Sequence, residues 1–176
     1  MPPPIPVVLS PHDDAWSEIA AHYAQILHTL GPNVVEIHHI GSTAVPGLAA
    51  KPIMDLMPVV MNLNKLDKQM RQITALGFEW HGELGMARRR YCTLSDAGRR
   101  VAQLHFFEVG SPNIARHLAF RDYLRAHPAM ATAYEQEKRR ARDLYPNDSH
   151  AYGDEKSAWI QAKEAEALAW FQMQNS

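Results

Sequence analysis

The sequence predicts an α+β protein: one mixed β-sheet with flanking helices and a helical cap toward its C-terminal end. Three observations carry that prediction. Two apolar strand-like runs, residues 34–40 and 53–60, enclose a loop of small residues too rich in glycine and proline for a long helix. Two further strand-like runs, 86–94 and 99–109, are joined by Ser95-Asp96-Ala97-Gly98, a turn-forming cluster of hairpin length. From Ser111 onward the pattern turns helical, with Pro128 and Pro146 as breaks.

Each element has a local cause. Pro2 to Pro6 forbid helix and predict an extended, poorly ordered lead-in. Ser10-Pro11 reads as an N-cap and first helical residue, with Asp13 and Asp14 near the positive end of the helix dipole. Trp16, Ile19, Tyr23, Ile26, Leu27 and Leu30 then share one helical face, and Gly31-Pro32 stops the run. In the strand at 34–40, Val35, Ile37 and His39 alternate with Glu36, His38 and Ile40. The loop from Gly41 to Lys51 has room for one short turn at most. The strand at 53–60 is almost continuously apolar, which predicts a central position or cover on both faces, with Pro58 marking its fading end. Leu63, Leu66, Met70 and Ile73 are spaced for a helix ending at Gly77. The C-terminal cap reads as helices to about His127, over 129–145, and from Ser149 to the end.

The 176 residues are most simply one domain with a substantial core, helix and sheet at about 10–110 and helical cap at about 111–174. Lysine plus arginine number 18 against 19 acidic residues, a net charge of -1, which argues against bulk nucleic-acid or acidic-membrane binding as the main role. The first residues lack the basic and apolar regions of a signal peptide, and no apolar run approaches a membrane span. Cys92 is the single cysteine and reads as a small apolar strand residue. No internal disulfide is possible, so a reducing cytoplasm is the expected location.

Chemistry concentrates around residues 41–55. Gly41-Ser42 brings backbone N–H groups and a hydroxyl close to an anion, because glycine adds no bulk and a tight turn of N–H groups forms an anion nest. Asp55 lies within Ile53-Met54-Asp55-Leu56-Met57, where an unpaired charge costs several kcal/mol unless a cation or hydrogen bonds compensate it. That makes Asp55 a candidate Mg²⁺ ligand, since Mg²⁺ takes one or two carboxylates and leaves the other positions to water and phosphate. The plainer alternative is a capped turn with Asp55 paired to Lys51 or an arginine, and spacing leaves both open.

The run His39-Ile40-Gly41-Ser42-Thr43-Ala44-Val45-Pro46-Gly47-Leu48-Ala49-Ala50-Lys51-Pro52-Ile53-Met54-Asp55 resembles the signature of the GrpB family, a group with a nucleotidyltransferase-like fold. Arg89-Arg90-Tyr91, Leu104-His105-Phe106-Phe107-Glu108, Phe120-Arg121-Asp122-Tyr123-Leu124-Arg125 and the segment Tyr152 to Ile160 extend the likeness over almost the whole chain. The resemblance implies a polymerase-β-type scaffold in which Gly41 and Ser42 hold nucleotide phosphates and Asp55 holds Mg²⁺. It also implies a nucleoside triphosphate and a small-molecule acceptor as partners, with in-line attack on the α-phosphate. There are two departures: Met57 stands where active members of the wider superfamily carry a second carboxylate, and the histidine that many family members carry near Gln103 is absent.

Glu108 is the obvious substitute metal ligand. Strand alternation, however, puts Gln103, His105 and Phe107 on one face and Leu104, Phe106 and Glu108 on the other, so His105 and Glu108 are rivals for a catalytic place. Lys51, Arg89, Arg90 and Lys156 are the candidate phosphate contacts. Lys138 is a weaker one, because Glu135, Glu137, Arg139 and Arg140 make its region read as a solvated charged face. Three readings follow: Mg²⁺-dependent nucleotidyl transfer to a small acceptor; non-catalytic binding of a nucleotide or phosphate ligand with a decayed carboxylate set; or an interaction domain with no ligand, which leaves Asp55 in an apolar strand unexplained.

Overall fold

A computed structural model describes residues 1–176. In chain order the elements are α1 (Ala15–His28), β1 (Val34–Ile40), a 3-10 turn at Ser42–Ala44, β2 (Met54–Val60), α2 (Leu63–Lys68), α3 (Met70–Ala75) and β3 (Glu79–Trp80). After these come β4 (Arg89–Asp96), β5 (Arg99–Glu108), α4 (Pro112–Ala126), α5 (Pro128–Leu144) and α6 (Ser149–Gln174). The five strands form one mixed sheet in the order β1-β2-β5-β4-β3, and β2 and β5 are its parallel pair. The β4–β5 hairpin turns on Ala97-Gly98, both with positive φ (47° and 76°), the left-handed conformation that a two-residue hairpin loop demands.

One face of the sheet packs under α1. Leu56, Leu104 and Phe106 meet Trp16, Leu27 and Phe78 in a single apolar cluster. On the other face Ile40, Met57 and Phe107 are covered by Ile114 and Leu118 of α4. The three C-terminal helices then close over the loop after β1, where Val45 and Leu48 pack against Leu124, Tyr134 and Trp159.

That loop has little secondary structure of its own, so its carbonyl and N–H groups need outside partners. The cap supplies them. Arg121 donates to the His39 carbonyl (3.2 Å), Arg125 to Ala44 (2.8 Å) and Lys138 to Ala49 (2.6 Å), and Glu135 accepts from the Ala49 N–H (2.8 Å).

Four expectations are corrected. Ser10 does not cap α1. It pairs with Ala50 in an isolated bridge, while Asp13 accepts from the Ala15 N–H at the true helix start. The proline lead-in is extended but tied down, because Ile5 and Ser149 exchange hydrogen bonds and the Val7 N–H donates to the Pro146 carbonyl. The strand predicted from residue 86 begins at Arg89, since Leu84, Gly85 and Arg88 all hold positive φ. The helix at 63–76 is broken at Gln69, and the two-residue strand β3 behind it carried no periodic signal. No helix is long and apolar enough to cross a membrane.

Candidate functional site

The site forms where β1 gives way to its loop, beside the start of β2. Gly41 has φ 73° and ψ -169°, a conformation that belongs essentially to glycine. A Cβ there would stand 2.9 Å from Asp55 Oδ2, so the absent side chain is what lets the loop backbone approach the carboxylate. Asp55 therefore faces the bend. His39 steadies the turn from its other side, its Nε2 lying 2.8 Å from Thr43 Oγ1, and burial pushes the His39 imidazole down to about 4.

A cavity of about 190 Å³ opens in front of Gly41, Ser42 and Asp55. Its far wall comes from the cap: Tyr134 and Lys138 of α5, and Tyr152 and Lys156 of α6. Lys51 closes the rim. Three ammonium groups thus converge on one carboxylate. Each lies over a tyrosine ring: Lys156 at 4.3 Å and Lys51 at 5.4 Å from the Tyr152 centroid, and Lys138 at 5.2 Å from Tyr134.

Gathering three cations away from water has a cost, and it appears in their proton affinity. Burial, with Lys156 next and Asp55 partly opposing, pushes Lys51 down to about 8. Burial also pushes Lys156 down to about 8 against the attraction of Asp55. Lys138, 2 % exposed, is held well below the ordinary lysine range by burial and by the other two lysines. Burial raises Tyr134 to about 12, and the Tyr152 hydroxyl is buried with no hydrogen-bond partner. One buried and two half-buried lysines beside an unpartnered donor are the electrostatic inverse of a polyphosphate.

Several candidates meet here and others do not. Gly41, Ser42, Lys51, Asp55 and Lys156 line the one cavity. His105 stands beside it, with Nε2 3.2 Å from Asp55 Oδ1. Glu108 is elsewhere, because its position on the α1 side of β5 points it at α2. There it accepts from the Leu63 N–H (2.9 Å) and pairs with Arg88 (2.9 Å). Arg90 likewise forms a two-pronged pair with Asp67 (2.7 and 2.9 Å). Arg89 is on the site face of the sheet, but its guanidinium donates to the Glu83 and Leu84 carbonyls and lies over Tyr91.

Lys138 and Tyr134 are the residues whose importance the sequence understated. The buried positions of α5 are Tyr134, Lys138 and Ala141, spacings of four and three within an otherwise charged helix. That stripe was the available signal.

The donor set fits one Mg²⁺ and not two. No three histidine, cysteine or acidic side chains cluster anywhere in the chain. Met57, where a second carboxylate would stand, is 0 % exposed among Ile40, Phe107, Ile114 and Leu118. Asp55 alone would hold a single Mg²⁺ if phosphate oxygens and water completed its coordination.

Comparison with other proteins agrees with this architecture. Residues 6–166 match the sequence profile of the family described as GrpB protein. The UPF0157 protein YqkA of Bacillus subtilis is 36% identical over 166 residues, which cover 94% of this chain and 48% of YqkA, so the chain spans about half of that relative. The crystal structure of the conserved protein GrpB from Enterococcus faecalis superposes with a TM-score of 0.88 at 36% identity, covering 94% of this chain and 99% of that one. The Cid1 poly(U) polymerase, solved with magnesium and 3'-dATP, superposes at a TM-score of 0.55 and 16% identity over 84% of this chain and 49% of its own, a likeness of fold.

Proposed function

This chain belongs to the GrpB family, and we propose that it binds the triphosphate of a nucleoside triphosphate in the lysine-lined cavity and transfers the nucleotidyl group to a small acceptor. The observation that carries this reading is the convergence of Lys51, Lys138 and Lys156 with Asp55 on the Gly41-Ser42 loop. A cavity of about 190 Å³ suits a polyphosphate rather than a whole nucleotide, whose base and sugar would extend past the mouth.

The roles follow from the geometry. The Gly41-Ser42 backbone and the Ser42 hydroxyl hold phosphate oxygens. The three lysines offset the triphosphate's charge and draw the electrons of the departing pyrophosphate, part of what a second metal does in other phosphoryl-transfer sites. Asp55 would hold one Mg²⁺, which would supply Lewis-acid stabilisation of the reacting phosphate. The acceptor hydroxyl oxygen forms a bond to the α-phosphorus and gives up its proton to solvent as the bridging bond to the β-phosphate breaks, and pyrophosphate leaves through the mouth.

Binding without transfer is the second reading. It is favoured by the apolar packing around Met57 and by the engagement of Glu108 at α2. Titration calorimetry with ATP and GTP, with and without Mg²⁺, tests the binding. Pyrophosphate release across a panel of acceptors tests the transfer. Affinity that rises with Mg²⁺, and pyrophosphate with one acceptor class, is the expected result. Binding with no release from any acceptor selects the second reading, and no binding at all overturns both.

A further inference from the structure

A second, wider chamber of about 420 Å³ opens beside the lysine cavity and shares Lys51 and Gln103 with it. Its wall on β5 holds a residue that simple alternation would send elsewhere. Ala102, Leu104 and Phe106 face α1, so Arg100 should follow them into the apolar core. The pairing shows why it does not. Leu94 pairs with Ala102, but the next residue, Ser95, pairs with Arg100, which makes Val101 an extra residue on β5. Such a bulge re-aims the side chain beyond it, and Arg100 emerges on the face of Gln103 and His105.

Arg100 is also left without a partner. Its Nε–H is buried and donates to no carbonyl or carboxylate. The other guanidinium on the chamber, Arg89, has its Nε and Nη2 taken by the Glu83 and Leu84 carbonyls and keeps only Nη1 free, so it is a secondary donor beside Arg100. Asp154 at the outer rim is the single carboxylate among the lining residues, and it is exposed. A charged fork with an unsatisfied buried donor in a cationic chamber calls for a planar or tetrahedral anion.

We propose that this chamber seats the anionic group of a second small ligand, a carboxylate or a phosphate monoester, on the Arg100 guanidinium. The assignment deepens the transfer reading and rests on it for one point: the ligand is then the acceptor, and the acceptor is an anionic small molecule. Lys51, common to both spaces, stands between the acceptor and the triphosphate.

Calorimetry on the full chain tests this, both saturated with an ATP analogue bearing a methylene bridge between the α- and β-phosphates and without nucleotide. The titrants are glycerol 3-phosphate, glycerate and glycerol. One of the two anions is expected to bind at least tenfold more tightly than glycerol, and which one tells a phosphate from a carboxylate source. Arg100→Gln should abolish the preference and leave the analogue's affinity within twofold, and Arg100→Lys should restore part of the preference. Glycerol binding as well as either anion, or a preference that survives in Arg100→Gln, would overturn the assignment. So would an equal loss for analogue and anion in that variant, because the chamber would then hold the nucleotide. If the analogue fails to bind the wild type while an anion still binds through Arg100, the triphosphate reading falls and the anion site stands.

Discussion

Replacing Lys156 with methionine separates a ligand-binding lysine from a structural one. Lys156 makes no hydrogen bond or ion pair in the fold, and its head group rests on Tyr152 at 4.3 Å. Its depression from 10.5 to about 8, at about 1.4 kcal/mol per unit, corresponds to roughly 3 kcal/mol for holding the charge in the folded chain at neutral pH. Residual solvent contact reduces this to about 2 kcal/mol. Losing the cation–π contact opposes the gain by about 1 kcal/mol. The net stabilisation of about 1 kcal/mol raises the unfolding midpoint by roughly 2–4 °C. The sign with pH is fixed by the same shift. Between pH 8 and 10.5 the folded wild type sheds a proton that its unfolded chain keeps, so its stability rises and the variant's advantage fades over that window. Affinity moves the other way. One lost ammonium–phosphate contact is worth about 1.5–3 kcal/mol, or roughly 10- to 150-fold in ATP affinity at pH 7, with AMP nearly unaffected. Thermal unfolding followed by circular dichroism from pH 6 to 10.5, with calorimetry for both nucleotides, reads these quantities. A lowered midpoint together with equal losses for ATP and AMP would mean that Lys156 only packs.

The other expectations are narrower. Gly41→Ala forces an alanine into a glycine-only conformation and a methyl group to 2.9 Å from Asp55 Oδ2; it should cost about 1–3 kcal/mol and abolish ATP binding, and a melting curve like the wild type's would refute the close approach. Asp55→Asn should erase the Mg²⁺ dependence of ATP affinity with the fold intact, whereas an unchanged response to Mg²⁺ would remove Asp55 from the metal role. Met57→Asp puts a carboxylate into a fully buried apolar cluster; a loss on the order of 3–5 kcal/mol, with no gain in pyrophosphate release, is expected, and a stable, more active variant would contradict it. Because Lys51 and Lys156 lie near 8 without ligand, a bound triphosphate should raise both. Protons are then taken up at pH 8.5 and affinity falls as pH climbs past 8, which calorimetry in two buffers of different ionisation enthalpy detects.

Much of this was legible because it rests on local rules. The Gly41-Ser42 bend, the lone acid on β2 and the order of helix, sheet and cap follow from turn chemistry and apolar periodicity. Alternation along β5 correctly set His105 and Glu108 on opposite faces, and the pairing of β5 with β2 brings His105 to Asp55 while Glu108 meets α2. What escaped depends on long-range partners. Ser10 has every local attribute of a cap, yet its backbone is worth more paired with Ala50 across the molecule. The prolines of the lead-in forbid helix but do not reveal that Pro146 and Ser149 await them. Lys138 lies among exposed charges in sequence, and only the packing of α5 on the loop turns it inward. Arg100 depends on a bulge, a one-residue slip that no alternation pattern contains.

The most direct measurement is a crystal structure of the chain soaked with ATP and Mg²⁺. The β- and γ-phosphates should lie among Lys51, Lys138 and Lys156, against the Gly41-Ser42 backbone, with one metal ion on Asp55. Phosphates bound elsewhere, with the three lysines still facing an empty cavity, would contradict the account.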